Sequence, residues 1–88
     1  MADPVSWFLI EPGWTVATAD GREVGTVREV LGDPNADIFD GLVADPGLLR
    51  GARYVPAERV GSIYEGRVEL EMDEDQFRLL EEYAEQPG

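Results

Sequence analysis

The stretch DGREVGTVREVLGD, residues 20–33, decides the fold class of this chain. Its Asp20-Gly21 pair lies between two runs rich in β-branched residues, which is a strong local signal for a β-hairpin turn. The apolar residues of 24–31 recur at helical spacing, but β-branched side chains dominate the segment and Gly25 interrupts it. A glycine at such a position is typical of a bend or bulge in a strand. The stretch therefore predicts one long strand that bends at Gly25.

Turn-forming residues punctuate the rest of the chain at 12–13, 32–35, 45–47 and 65–66. The segments between them are short and rich in valine, isoleucine and aromatic residues: 24–31, 38–44, 53–56, 59–64 and 67–72. Segment 38–44 is apolar on both faces, so we expect it in the middle of the structure. Turns at this spacing predict a mainly β fold of about six short strands, arranged as a small barrel or sandwich.

The last segment of the chain changes its hydrophobic period from that of a strand to that of a helix. Asp73 can cap a helix, and Gln76 completes a capping box with it. Apolar residues after Gln76 then recur at helical spacing, so we expect one amphipathic α-helix over about 74–85. With 88 residues, the chain is expected to form a single domain, 1–88, with a β core over about 14–72.

The composition argues against most enzymatic chemistry. The chain has no cysteine, histidine or lysine, which removes the thiolate, the imidazole and the Schiff-base amine. We therefore predict a protein that is not an enzyme, has no catalytic residues and holds no cofactor. Its net charge is −12, and a surface this negative repels phosphate backbones. No nucleic-acid binding by the protein alone is expected.

The N-terminal apolar run, residues 5–10, is far too short for a signal peptide core or a membrane span. An acid precedes this run, where a signal peptide would carry basic residues. The sequence therefore predicts a cytoplasmic protein without membrane insertion.

Residues 14–72 resemble the PRC-barrel domain. The segments that carry the resemblance are DGREVGTVREVLGD (20–33), IFDGLVAD (38–45), ARYVPAERVGSI (52–63) and EGRVEL (65–70). They repeat the family's order of a DG turn, a V-G-x-V strand, a central apolar strand and a V-P segment before a return strand. The resemblance implies a small, strongly bent β-barrel. It also implies a stand-alone binding or assembly module of the bacterial and archaeal type, and not an enzyme.

One turn carries oxygen ligands at the spacing of a calcium loop. Asp33, Asn35 and Asp37 match the D-x-N-x-D start of such a loop. However, Ile38 occupies the position of the glycine that the sharp turn requires, and Ala44 that of the bidentate glutamate. The alternative is a turn whose Asn and Asp side chains bind the backbone. Cation or small-ligand binding here is thus the second hypothesis for the function.

Two apolar segments are the candidate interfaces, and both favour a protein partner, with a homodimer as the expected assembly. The first is Trp7, Phe8 and Leu9, and the second is Leu48 and Leu49. The alternative is that Trp7 and Ile10 plug one end of the barrel while the C-terminal helix covers the remaining apolar side chains. The acid-rich segment 69–85 could meet a basic partner, although a solvated face is the commoner role of such a segment.

Overall fold

The computed structural model describes residues 5–47 and 51–83. Strands dominate this part of the chain, so the prediction of a mainly β protein is confirmed. The strands are β1 Thr15–Ala17, β2 Glu23–Asp33, β3 Ile38–Asp45, β4 Arg53–Pro56, β5 Val60–Tyr64 and β6 Arg67–Leu70. The helical elements are the 3-10 turns Trp7–Leu9 and Ala57–Arg59 and the α-helix α1, Glu74–Arg78.

All these strands belong to one sheet, in the order β4-β3-β2-β1-β6-β5. β1 and β6 are parallel, and the other neighbouring pairs are antiparallel. Within residues 5–47 and 51–83, the edge strands β4 and β5 do not pair with each other. The observed architecture is therefore an open, mixed sheet that does not close into a barrel.

The connection between the two edges shows how strongly the sheet is bent. Laid flat, six strands about 4.8 Å apart would separate β4 from β5 by roughly 24 Å. The chain passes from Pro56 to Val60 through the single 3-10 turn Ala57–Arg59. Because four peptide steps reach at most about 15 Å, the sheet must curl until these strand ends approach each other.

The long strand predicted from the opening stretch is present. β2 runs without interruption from Glu23 to Asp33, after a turn in which Gly21 has a φ of +87°. The register between β1 and β2 shifts beside Gly25. A Cβ added to Gly25 would lie 2.3 Å from the backbone oxygen of Asp45. Gly25 is therefore required where the end of β3 passes close to β2.

β3 supplies the centre of the core, as its sequence predicts. Its neighbouring residues Leu42 and Val43 are both 0% exposed, so the strand is covered on both faces. The buried hydrophobic cluster comprises Ile10, Val16, Val27, Leu42, Ala44, Val55, Val68, Leu70, Met72 and Phe77. These side chains come from most of the strands and from α1, so burying this cluster holds the sheet in its curled shape.

The C-terminal helix is shorter than the predicted 74–85, which corrects that prediction. It starts as expected, because the Asp73 carboxylate accepts a hydrogen bond from the Gln76 N–H and the Gln76 side chain caps the Asp73 N–H in return. The helix already ends at Arg78. The expected turns beyond this residue are absent up to residue 83, and residues 84–85 lie outside the described part of the chain.

Pairing with β4 replaces those helical turns. The Tyr54 N–H donates to the Glu81 carbonyl over 3.0 Å, and the Tyr83 N–H donates to the Ala52 carbonyl over 2.8 Å. These bonds satisfy backbone groups on the outer edge of β4 that would otherwise face solvent. The C-terminal segment is therefore extended because an open sheet edge offers it partners that a helix cannot use.

Candidate functional site

The N-terminal 3-10 turn, Trp7–Leu9, presents the first candidate interface. The Ser6 carbonyl accepts from the Leu9 N–H over 3.0 Å, and the Ser6 hydroxyl accepts from the Phe8 N–H over 3.3 Å. This one-turn geometry sends consecutive side chains in different directions. Phe8 is 49% exposed and Leu9 55% exposed, whereas Trp7 is half-buried and packs against the core.

Trp7 fixes this turn to the rest of the molecule. Its ring stacks on Phe8 with centroids 4.5 Å apart and on Phe39 of β3 with centroids 5.2 Å apart. Its indole N–H donates to the Asp37 carboxylate over 3.2 Å. Among the predicted interface residues, Trp7 therefore packs underneath the turn, whereas Phe8 and Leu9 are exposed.

A shallow depression of about 340 Å³ lies beside these exposed side chains. It is lined by Val5, Phe8, Leu9, Glu11, Trp14 and Glu65. The lining is thus mainly apolar, with two carboxylates and no basic residue. We call Phe8, Leu9 and this depression the N-terminal surface.

Two side chains of the calcium-like turn, Asp33 and Asp37, already accept hydrogen bonds within the protein. The Asp33 carboxylate accepts from the Asn35 N–H over 3.0 Å, and the Asp37 carboxylate accepts from Trp7. Asp37 itself has a positive φ of 55°, and its N–H donates to the Pro34 carbonyl over 3.3 Å. Among the described residues, no group of three or more acidic, histidine or cysteine side chains could hold a metal ion. The Asp33 contact is of the backbone-binding kind considered above, whereas the Asp37 carboxylate binds a side chain from a distant segment.

Leu48 and Leu49, the second candidate interface, lie outside the described residues. The acidic segment 69–85 is described as far as residue 83. Within this segment, the Glu74 carboxylate lies 3.4 Å from the Arg22 guanidinium and 3.5 Å from that of Arg78. These exposed ion pairs make this face less negative than its sequence suggests.

Sequence reasoning missed two exposed apolar side chains, Ile38 at 51% and Leu79 at 84%. Ile38 starts β3 opposite Asp33, at the tip of the β2–β3 hairpin and away from the buried centre of the strand. Leu79 follows the last residue of α1, where the predicted helix would have continued. The turn residues next to Ile38 were a usable signal, because a strand end beside a turn is commonly solvent-exposed.

Asp20 is a carboxylate whose pKa is shifted. The buried Thr18 hydroxyl donates to its carboxylate, and this hydrogen bond holds the pKa of Asp20 below the ordinary value of 3.8. Asp20 lies in the exposed β1–β2 turn and lines none of the depressions described here. Its shifted pKa therefore reflects turn structure, not a catalytic cleft.

A separate cavity, of about 680 Å³, lies between the start of β2 and α1. Its lining includes oppositely charged side chains that already interact, since Glu74 pairs with Arg78 across one helical turn. In addition, Arg53 on its wall donates to the Leu80 carbonyl over 2.9 Å. Arg53, Glu74 and Arg78 of this cavity thus already have partners within the fold.

Comparison with known proteins adds no assignment. The chain matches no protein-family model, and no curated protein matches its sequence. Over residues 5–47 and 51–83, the structure contains no helix that is long and apolar enough to cross a membrane.

Proposed function

We propose that the protein is a non-enzymatic, cytoplasmic binding and assembly module of the PRC-barrel type, and that it self-associates through the N-terminal surface. The observation that carries this proposal is the exposure of Phe8 and Leu9, at 49% and 55%, on a turn that Trp7 holds in place. Adjacent exposed apolar side chains next to an apolar depression are typical of a protein interface.

The rigidity of the turn favours binding. Trp7 stacks on both Phe8 and Phe39 and donates a hydrogen bond to Asp37, so these contacts hold the backbone of the turn in place. A surface ordered before binding loses less conformational entropy when it meets a partner. Aromatic side chains in such positions are commonly the residues that contribute most to binding.

The expected affinity is modest. Complete burial of one large apolar side chain contributes about 1.5–3 kcal/mol, and Phe8 and Leu9 are each only half exposed in the free protein. Two copies related by a two-fold axis would bury four such side chains. Their combined gain must offset the entropy of association, so we expect a dissociation constant in the micromolar range or weaker.

The PRC-barrel part of the proposal rests on the sequence resemblance over residues 14–72. The strong curl of the sheet, with its edges linked by the short turn Ala57–Arg59, is in keeping with a bent barrel of that type. Gly21 and Gly25 belong to the segments that carry the resemblance. Gly21 has a positive φ in the turn before β2, and Gly25 lets the end of β3 lie close to β2.

Sedimentation of a surface variant tests the proposal. The double variant Phe8→Ser/Leu9→Ser should lower the association constant of the dimer at least tenfold. Its far-ultraviolet circular dichroism spectrum should stay unchanged. Leu79→Ser is the matched control, since it removes an apolar side chain that is 84% exposed elsewhere on the molecule. Equal loss of dimer in both variants, or in the control alone, would contradict the N-terminal surface as the interface.

Binding of a divalent cation or small ligand by Asp33, Asn35 and Asp37 is the alternative function. A thermal melt with and without millimolar calcium distinguishes it, because a ligand that binds the folded state must raise the melting temperature. A rise that is abolished in Asn35→Ala would favour the alternative, and an unchanged melting temperature would exclude calcium at this turn.

A further inference from the structure

The depression of the N-terminal surface lies between three parts of the chain that the sheet brings together. Val5 and Glu11 belong to the segment before β1, Trp14 directly precedes β1, and Glu65 lies in the turn between β5 and β6. The Val5 N–H donates to the Ile63 carbonyl over 2.7 Å, which joins the N-terminal segment to β5. The depression is therefore built from elements that are hydrogen-bonded to one another.

Backbone hydrogen bonds also hold the two acidic parts of the lining. The Trp14 N–H donates to the Glu11 carbonyl over 3.3 Å, and the Thr15 N–H donates to the carbonyl of Gly66, the neighbour of Glu65, over 3.0 Å. Glu11 and Glu65 are thus carried by backbone that is fixed relative to the start of β1.

Neither of these carboxylates has a cationic neighbour. Glu11 and Glu65 are both exposed, and no basic residue lines the depression with them. Within the part of the chain that the structure describes, neither forms an ion pair, whereas Glu69 lies 3.2 Å from Arg67. The depression therefore presents two accessible negative charges that the fold itself does not neutralise.

A second copy of the chain does not supply the missing positive charge. A dimer formed by the same surface on both chains brings the Glu11 and Glu65 carboxylates of two copies to one interface. These like charges repel each other, and each chain adds a net charge of −12. A partner with basic residues replaces this repulsion by attraction.

The apolar part of the surface sets the second requirement for a partner. Phe8 is 49% exposed, Leu9 is 55% exposed, and both line the depression together with Trp14. Apolar side chains of a partner can pack here while its charged groups stay at the solvated edge. The whole surface is thus complementary to a segment in which apolar and basic residues are neighbours.

We propose that the N-terminal surface binds a basic, apolar segment of another protein, in competition with the second copy. Lysine or arginine side chains of that segment pair with Glu11 and Glu65, and its apolar side chains pack on Phe8 and Leu9. This inference rests on the proposed role of the surface as a protein interface and adds the chemistry of the partner. The homodimer is then the state of the protein without that partner.

The test uses two peptides with the same apolar residues and different charge. The basic probe is acetyl-Lys-Leu-Phe-Lys-amide, and the neutral probe is acetyl-Gln-Leu-Phe-Gln-amide. In two-dimensional ¹H–¹⁵N spectra of the full chain, at a concentration where the monomer dominates, the basic probe should shift the Trp14 indole and the Leu9 amide in a saturable way. It should bind at least about fivefold more tightly than the neutral probe at low salt, since two exposed ion pairs each contribute modestly.

Salt should remove most of this preference, because it screens exposed charges. Equal affinities of the two probes at low salt would overturn the proposal. Shifts that spare both Trp14 and Leu9 would also overturn it, since the probe would then bind elsewhere.

Two double variants locate the charge effect. Glu11→Gln/Glu65→Gln should abolish the preference for the basic probe. Glu81→Gln/Glu82→Gln removes the same charge from exposed positions in the C-terminal segment and should keep the preference. Both variants replace exposed carboxylates, so both should retain the far-ultraviolet circular dichroism spectrum of the parent chain. Equal losses in the two variants would indicate general electrostatics and overturn the site.

Molar mass separates this inference from the proposed self-association. Where light scattering detects a dimer, saturating basic probe should return the mass of the protein towards 9.7 kDa. A dimer that persists under saturating probe would overturn the competition for one surface. A chain that is monomeric at every concentration would contradict self-association, while a charge-dependent response at Trp14 would still support the basic partner. A dimer whose surface does not distinguish the probes would retain self-association and overturn this inference.

Discussion

The indole Nε1 of Trp7 donates a hydrogen bond to Oδ1 of Asp37 over 3.2 Å and thereby joins two segments that are 30 positions apart in the chain. Trp7 belongs to the predicted interface, and Asp37 belongs to the predicted cation turn. The two sequence motifs therefore form one structural unit, in which the β2–β3 turn supports the N-terminal surface.

The first prediction concerns this hydrogen bond. Asp37→Ala should lower the free energy of unfolding by about 1–2 kcal/mol, because it removes the acceptor and places alanine at a positive φ. Asp37→Asn keeps an oxygen acceptor and tolerates the conformation, so its cost should stay below about 0.5 kcal/mol. Urea denaturation followed by tryptophan fluorescence measures both. Equal stabilities of the two variants would show that the bond to Trp7 contributes nothing.

The second prediction concerns the close contact between Gly25 of β2 and Asp45 at the end of β3. Gly25→Ala should destabilise the fold by at least about 2 kcal/mol, because the new Cβ meets a backbone oxygen that cannot move independently. In Gly61→Ala, the Cβ would lie 3.1 Å from the Glu71 side chain and 3.2 Å from the Glu69 backbone oxygen, so its contacts are tight but longer than the 2.3 Å contact at Gly25. This comparison variant should be less destabilised than Gly25→Ala in a thermal melt. A harmless Gly25→Ala would contradict the close approach of Asp45 to β2.

The third prediction concerns the C-terminal segment. Deleting residues 81–88 should expose the Tyr54 N–H to hydrogen exchange, since its acceptor is the Glu81 carbonyl. The amide of Val55 points to the opposite side of β4 by strand alternation, so its protection should persist in a folded deletion variant. Unchanged exchange at Tyr54 would mean that residues 81–83 do not pair with β4.

The fourth prediction concerns pH. Thr18→Val should raise the pKa of Asp20 towards 3.8, because the hydroxyl that stabilises the charged carboxylate is removed. Since the folded pKa lies below the unfolded one, this interaction stabilises the native state above the unfolded pKa. The stabilisation is lost as the pH falls through the folded pKa. Thr18→Ser keeps the hydroxyl and should keep the low pKa. Carboxyl-carbon chemical shifts across an acid titration measure it, and identical titrations of both variants would contradict the assignment.

Local signals in the sequence were sufficient for the strands. The Asp20-Gly21 turn and the β-branched residues around Gly25 predicted β2 correctly, because turn geometry and strand propensity there act in the same direction. The resemblance added the expectation of a bent barrel, and the observed sheet is curled but open.

Features that depend on distant parts of the chain could not be predicted in the same way. The capping box of Asp73 and Gln76 specified only the start of α1, while pairing with β4 determined where the helix ends. Likewise, the sequence identified the apolar turn but not which of its residues faces inward. The inward position of Trp7 follows from its contacts with Asp37 and Phe39, which lie far away in the sequence.

The central claim, self-association through the N-terminal surface, has a direct test in the salt dependence of the molar mass. Each chain of 9.7 kDa carries a net charge of −12, so two copies repel each other, and salt screens this repulsion. Light scattering over a concentration series, at about 50 mM and about 500 mM sodium chloride, should show a mass approaching twice 9.7 kDa sooner at high salt. A mass of 9.7 kDa at every concentration and at both salt levels would contradict the account.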